Sequence, residues 1–363
     1  MKKLKSLIQK NMRTTLLHKI EIEKFQKLVK NSEIDYSENI SMSGIQKMPI
    51  YKYTLQEFIE NGTFLVPDIY TTLLHNVIYY AKRDTIFTNK RELILDSVMN
   101  HFKPEKYSLR TLYFSRQKKI SGFCTVFRSI FDFRNYYHTL IDNLPRLYLI
   151  DQYKCEAEKV NLLVPGELTN VEKFFLGKLL PDNIEIMYVE IDKIFCIENL
   201  IFPGFLTYRN SGYLPQAYLN YFRDKVLPKR PRDKKNLIYI SRKLVESNSK
   251  RCVLNEEELV RQLKSYGFKK YSLEDMSIEE QIELFYDASC VISPHGAGLT
   301  NIIFSEKINV LEMFPGSGML PHYYFLSKSI GHNYTYWCGQ STHKDANFIV
   351  NIEQILKIVK IFL

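Results

Sequence analysis

The second half of the chain alternates short apolar runs with capped amphipathic stretches, and the alternation predicts strands and helices in turn. Asn236-Leu237-Ile238-Tyr239-Ile240-Ser241 is a short apolar run of strand type. Asn255 then stands where an N-cap belongs. After it come Glu256, Glu257 and Glu258 in a first turn and Lys264 near the end, the charge order a helix dipole favours. Gly267 stops that helix, and residues 269–273 read as the next strand. Ser277 and Glu280 have the spacing of a capping box for a helix over 278–285. Residues 288–292 form a continuous apolar strand, 299–304 the first turns of a helix, and 309–314 another strand. Repeated strand–helix–strand units with short connections imply a parallel sheet covered on both faces.

The first half repeats the alternation less regularly. Residues 160–164 read as a strand, 171–180 as a helix and 184–189 as a strand. Around 134–150 the pattern is helical, and Pro145 kinks or restarts that helix with Asp142 or Asn143 as its cap. Residues 1–110 are rich in Tyr, Lys and Ile and carry few signals. The basic, Pro-containing stretch 227–235 reads as a linker. The expected division is a basic, poorly defined part (1–110) of a first domain, an α/β domain over 111–228, a second over 234–340, and a C-terminal helix within 341–363 that packs back on the first domain.

The most informative chemistry lies after the 288–292 strand, in Ser293-Pro294-His295-Gly296-Ala297-Gly298-Leu299-Thr300-Asn301. Strand, glycine loop and helix start together bring backbone N–H groups to a phosphate, and glycines let the backbone approach it closely. The alternative is a tight turn whose glycines serve only a positive φ. No Gly-Lys-Ser/Thr follows and no G-x-G-x-x-G occurs, which excludes a phosphate-loop NTPase and a dinucleotide fingerprint. Arg242, Lys243 and Glu312 also fall at strand carboxyl ends, where ligands of parallel sheets bind. Arg242 and Lys243 suit a diphosphate or simply solvate a loop, and Glu312 suits a ribose diol or a helix cap.

A second constellation contains Asn135, His138, Asp142 and Arg146. His138 and Asp142 share one helix face. Asp142 reads either as a general base oriented by His138 or as an N-cap, and His138 as its partner, as the base itself, or as a core histidine.

Composition narrows the class. With 363 residues, 45% hydrophobic and 25% charged, the chain is a soluble globular protein of two domains. It has no apolar stretch near the ~20 residues that span a bilayer, and no apolar region follows its charged start, so a cytoplasmic location is expected. The six cysteines form no C-x-x-C, so no zinc site is expected, and Cys196 and Cys290 read as small core fillers. The net charge of +10 concentrates near the start and again at 229–235. The start reads as a basic amphipathic surface for an anionic membrane or as an ordinary solvated helix. No nucleic-acid-binding signature accompanies the charge, so nucleic acid is not an expected partner.

Taken together, Asn135-x-x-His138-x-x-x-Asp142-x-x-Pro145-Arg146, Ile240-Ser241-Arg242, Glu280-Gln281, Pro294-His295-Gly296-Ala297-Gly298-Leu299-x-Asn301 and Leu311-Glu312 resemble glycosyltransferase family 61. Bacterial members of that family act in capsular and other surface polysaccharide biosynthesis. The resemblance covers roughly residues 130–320.

It implies an α/β protein of GT-B type, two Rossmann-like domains facing a cleft, the acceptor side (111–228) first and the nucleotide-sugar side (234–340) second. It also implies an inverting glycosyltransferase that moves a hexosyl or pentosyl group from a nucleotide sugar, expected to be UDP-linked, to a glycan or lipid-linked acceptor, with no metal or other cofactor. No D-x-D triplet occurs, in keeping with the metal-free type. On this reading Asp142 or His138 is the base, and Asn135 and Arg146 line the acceptor side. Arg242, Lys243, His295, Gly296, Ala297, Gly298, Leu299, Asn301 and Glu312 hold the donor. The enzyme then works in the cytoplasm or peripherally on the inner membrane. The rival from another class is a non-catalytic nucleotide-sugar or glycan-binding scaffold, which needs no acid–base pair.

Overall fold

The computed structural model describes residues 69–97, 117–128, 135–153, 157–207, 212–242, 251–316, 320–339 and 346–363, together with short strands nearer the start. Those early strands are β1 (Thr14–Thr15), β2 (Phe25–Val29), β3 (Glu33–Asp35) and β4 (Thr63–Leu65). The chain divides into two compact units: residues 1–31 with 67–211, and residues 32–66 with 212–363. β3 and β4 pair antiparallel within the second unit.

The first unit is built on a mixed sheet. Its further strands are β5 (Ile69–Tyr80), β6 (Thr85–Phe87), β7 (Leu93–Ile94), β8 (Gln117–Thr125), β9 (Val160–Pro165), β10 (Ile184–Val189) and β11 (Ile194–Pro203). They run in the order β1-β7-β6-β5-β11-β8-β9-β10, with β2 added on β5. From β11 through β8 and β9 to β10 the neighbours are parallel, whereas β5 pairs antiparallel with both β11 and β6.

Connection length explains the split. The helix Asn170–Leu179, closed by a capping box between Thr169 and Glu172, gives β9 and β10 the crossover that parallel pairing needs. Only a 3₁₀ turn and Asp84, in the left-handed region at φ 47°, separate β5 from β6, which forces antiparallel pairing. The expectation of a Rossmann-like first domain is thereby corrected: half of its sheet is antiparallel. Tyr79, Ile86, Leu163, Ile197, Leu200 and Phe202 close its core.

The second unit has a wholly parallel sheet of β12 (Asn236–Ile240), β13 (Lys269–Tyr271), β14 (Ala288–Pro294), β15 (Asn309–Phe314) and β16 (Asn333–Cys338), ordered β13-β12-β14-β15-β16. Numbered within the unit this is the doubly wound order 2-1-3-4-5. Chain direction across the sheet reverses between β12 and β14, and doubly wound sheets bind ligands outside the carboxyl ends of the two strands at such a point.

The helices Glu256–Lys264 and Ile278–Tyr286 form where the charge order and the capping box predict them. Asn255 does not cap, however. Its amide pairs in both directions with the Val350 backbone, donating to the carbonyl and accepting from the N–H. After β14 the chain enters a 3₁₀ helix, Ala297–Phe304, rather than the expected α-helix.

Two further expectations change. The stretch read as a linker is bolted to the second unit. Arg230 pairs with Asp287 and Glu283, and Arg232 donates to the carbonyls of Tyr286 and Phe304. The helix Gln216–Val226 also belongs to this unit, with Phe222 stacked on Phe304. The C-terminal helix Ile352–Phe362 packs within the second unit. Its Ile355, Ile358 and Val359 fill the second unit's own core with Tyr239, Leu259 and Ile292. Cys290 is buried there, and burial pushes its thiol up to about 12, while Cys196 is only half-buried. No helix among the described residues is long and apolar enough to cross a membrane.

Candidate functional site

In the first unit the functional side chains sit on a helix that loses its regular winding. Asn135 caps a short turn, Tyr136–His138, by accepting from the Tyr137 N–H at 3.0 Å. Residues Thr139–Asn143 then wind as a π-helix, closed by the Leu144 N–H on the Thr139 carbonyl at 2.9 Å, and a new helix, Pro145–Gln152, starts with Pro145 at its first turn. A wider π turn re-aims the side chains it contains, and such turns recur at functional sites. Asp142 lies in that segment and is not a cap, because Leu144 holds the cap position and makes no side-chain cap bond.

The Asp142 carboxylate is fully buried, and both of its oxygens are engaged. His138 Nδ1 lies 2.6 Å from Oδ2, and the Thr207 hydroxyl donates to Oδ1 at 2.6 Å. His138 is 29% exposed against 0% for Asp142, so the imidazole is the half of the pair that faces out. Thr207 lies just beyond β11, 65 residues from Asp142, and no local spacing pointed to it. Next to Asp142, the Asn143 amide is buried with neither its nitrogen nor its oxygen hydrogen-bonded.

Arg146 belongs to the core, which corrects its placing on the acceptor side. Its Nε and Nη2 donate to the Pro203 carbonyl at 3.1 and 2.7 Å, and its Nη1 donates to the carbonyls of Phe127 and Arg128 at 3.2 and 3.0 Å. Its guanidinium also lies 4.5 Å from the centre of the Phe205 ring. Arg146 therefore ties together the carboxyl ends of β8 and β11, between which Asp142 and Thr207 meet. Burial lowers its pKa to about 9. Asn135 uses its side-chain oxygen as the local cap.

In the second unit, Arg242 follows β12 and His295 follows β14, so both stand at the point where chain direction reverses. Arg242 Nη1 donates to the His295 carbonyl at 3.3 Å. Gly296 has an extended backbone, with φ 172°, so its lack of a side chain serves space and not a left-handed turn. A Cβ on Gly296 would stand 1.8 Å from Arg242 Nη1. The glycine thus exists, in steric terms, to let the guanidinium lie across the loop. Tyr323 adds a hydroxyl bond to the Gly296 carbonyl at 2.7 Å. Ala297 and Gly298 are half-exposed and form the rim.

Three residues expected to touch the donor turn inward instead. Leu299 is fully buried. Asn301 donates to Gln281 Oε1 at 2.9 Å and to the Gly298 carbonyl at 3.1 Å, which locks the 3₁₀ turn onto the helix Ile278–Tyr286. Glu312 is also fully buried, with His295 Nδ1 2.5 Å from Oε1 and the Tyr334 hydroxyl donating to Oε2 at 2.5 Å. A carboxylate so enclosed cannot reach a ribose; it orients His295 instead. The bond from Nδ1 to Glu312 fixes the orientation of the ring. Lys243 lies outside the described residues.

The model of the family described as Glycosyltransferase 61 matches residues 136–320, a span that includes His138, Asp142 and Arg146 in the first unit and the loop and strand-end residues of the second. No curated protein matches the chain.

Proposed function

Because the chain belongs to glycosyltransferase family 61, we propose that it transfers a sugar from a nucleotide sugar to a glycan or lipid-linked acceptor, inverting the anomeric carbon without a metal ion. The first unit is the acceptor side and the second, with its doubly wound parallel sheet, the donor side. The observation that carries the assignment of roles is the half-exposed His138 held by a buried, doubly anchored Asp142.

A general base must be reached by the hydroxyl it deprotonates, and Asp142 is shut away from any such hydroxyl. His138 is therefore the base, and Asp142 fixes the ring and stabilises the imidazolium that forms. In the transfer, the acceptor hydroxyl gives its proton to His138 Nε2 while its oxygen attacks the anomeric carbon. The bond from that carbon to the β-phosphate oxygen breaks, and the diphosphate leaves with the electron pair. Developing negative charge there calls for fixed donors, and Arg242, His295 and the backbone of residues 296–298 supply them in this reading.

The donor is taken to be UDP-linked and the acceptor part of a surface polysaccharide. A net charge of +10 suits work beside an anionic membrane surface.

The test is turnover by purified wild-type, His138→Gln and Asp142→Asn proteins on a panel of nucleotide sugars, with nucleotide affinity measured in parallel. Loss of the base should lower turnover by about 10²–10⁴-fold in His138→Gln and leave nucleotide affinity intact. Wild-type turnover in that variant removes His138 as the base. A wild-type protein that binds nucleotide yet turns over no donor is a scaffold and not an enzyme.

A further inference from the structure

Another cluster of polar and aromatic side chains lies on the first unit, and the register of the sheet assembles it. Asn199 of β11 lies opposite His75 of β5 and Phe123 of β8, Phe123 opposite Val160 of β9, and Val160 opposite Ile184 of β10. Residues paired in this way point to one face of the sheet. Their chain neighbours Leu74, Cys124 and Leu200 point to the other face and fill the core. At this level β8 carries an extra residue: Ser121 and Gly122 stand against Glu198 alone, and the Gly122 N–H donates to the Glu198 carboxylate at 3.1 Å. Such bulges bend a strand and re-aim its side chains, commonly beside sites.

The Thr71 hydroxyl donates to the Leu149 carbonyl at 3.1 Å and so ties the helix Pro145–Gln152 to the face that carries the row. The helix ends at Tyr153, whose N–H closes on the carbonyls of Leu149 and Ile150. Beyond that end is a cavity of about 170 Å³, lined by Asp151, Tyr153, Val160, Asn183, Ile184 and Ile201. Its floor is apolar, and a carboxylate, an amide and a phenol stand around it. Further along the row His75 Nδ1 lies 2.8 Å from Asn199 Oδ1 at the surface, beside the half-buried Phe123.

Size and chemistry together select the ligand. The cavity has the volume of roughly five waters, which suits one sugar ring and is too small for a nucleotide. A ring lays its C–H face on the apolar floor, while Asp151 accepts from its hydroxyls and Asn183 both donates and accepts. No lysine or arginine is among the described lining residues, so an acidic group would find no counter-charge there. At about 4.8 Å per strand, Asn199 and His75 lie roughly 10–14 Å along the row from Val160, where a further sugar unit meets the same kinds of group. Asp151 follows His138 by 13 residues of helical chain, about 20 Å, so the cavity is distinct from the base.

We propose that this row is a second saccharide site, which holds neutral sugar units of the acceptor away from its reacting end, so that the acceptor is an extended glycan. The inference rests on reading the first unit as the acceptor side.

The test is binding of the full-length wild-type, Asp151→Ala, Asn199→Ala and His138→Gln proteins to an array of neutral and acidic mono- to hexasaccharides, with NMR titration of the glycans retained. Wild type should retain neutral oligosaccharides in preference to single sugars and to acidic glycans. Asp151→Ala should bind them about tenfold or more weakly, the loss expected for a hydrogen bond to a charged group, and should melt within a few degrees of wild type because the side chain is exposed. Asn199→Ala should weaken the oligosaccharides and spare the single sugars, and His138→Gln should bind as wild type does. The proposal is overturned if wild type retains no neutral glycan, if Asp151→Ala and Asn199→Ala both bind as wild type, or if His138→Gln loses binding equally. Each of those results leaves the transfer reading standing where donor turnover is seen. Binding lost in the two variants of the row, from a wild-type protein that turns over no donor, keeps the saccharide site and removes the transfer reading instead.

Discussion

His332 gives the second unit a defined response to acid. The ring is buried between β16 and the end of the 3₁₀ turn. Its Nε2 donates to the Ile302 carbonyl at 3.0 Å, and its Nδ1 accepts from the Ile308 N–H at 3.3 Å. That pattern needs the neutral ring, and burial lowers the pKa from 6.5 to about 4. The unfolded chain therefore takes up a proton that the native unit refuses. The stabilisation is complete above pH 6.5 and is lost as the pH falls toward 4. Between about pH 7.5 and about pH 5 the loss comes to roughly 2 kcal/mol.

Trp337 is the only tryptophan of the chain and lies in the second unit, so its fluorescence in urea titrations follows that unit alone. The separation matters because Asp84, in the first unit, has its pKa raised from 3.8 to about 6 by burial. Its contribution has the opposite sign: stability is present below 3.8 and is lost as pH rises through 6. His332→Gln should be less stable than wild type at neutral pH, since one ring bond is lost, yet should lack the slope of roughly 2 kcal/mol. Equal acid losses in the two proteins would refute the reasoning.

Other perturbations separate the donor loop from its supports. Gly296→Ala places a methyl group where Arg242 Nη1 now lies, at 1.8 Å, on a backbone that alanine adopts freely. The side chain of Arg242 must move while the fold stays, so calorimetry should show nucleoside diphosphate affinity down about tenfold with a melting temperature within a few degrees of wild type. Unchanged affinity would detach Arg242 from the site. Arg146→Lys replaces a fork that serves three carbonyls with a single ammonium and should destabilise the first unit by about 2–4 kcal/mol, read by circular dichroism on urea unfolding. An unchanged midpoint would mean the carbonyls find other donors.

What was legible in the sequence was what is local. The capping box of Ser277 and Glu280 is present with both of its bonds, because cap chemistry is set within one turn. The i, i+4 spacing of His138 and Asp142 survives even the π turn, and the pair is bonded as the spacing suggests. Apolar runs of the parallel sheet were readable for the same reason. β5 was not, because its twelve residues carry no simple alternation and its partner β11 lies more than a hundred residues away. Asn255 shows the limit at one position. Its sequence context is that of a cap, but Val350 offers both a donor and an acceptor, and the two-sided pairing wins. Glycine at 296 was read as a close approach to a ligand, and the close neighbour in the structure is this chain's own Arg242, which lies too far along the sequence for spacing to reveal.

The two histidines also clarify why each unit spends a buried carboxylate. In both, Nδ1 meets a fully buried acid whose other oxygen takes a hydroxyl: Asp142 with Thr207, and Glu312 with Tyr334. A buried, unpaired carboxylate is unfavourable, so hydroxyl and imidazole together make the acid tolerable, and the acid in turn fixes the ring. The same device therefore fixes the ring in each unit but leaves the rings in different surroundings. His138 is 29% exposed, as a base that must meet a hydroxyl has to be. His295 is only 7% exposed and is stacked on Phe314 at 5.1 Å, beside a loop that carries arginine rather than acid. That setting suits a group which holds a ligand in place and does not exchange protons with water. One arrangement thus suits the two roles proposed, separated by exposure and by the charge of the neighbouring loop.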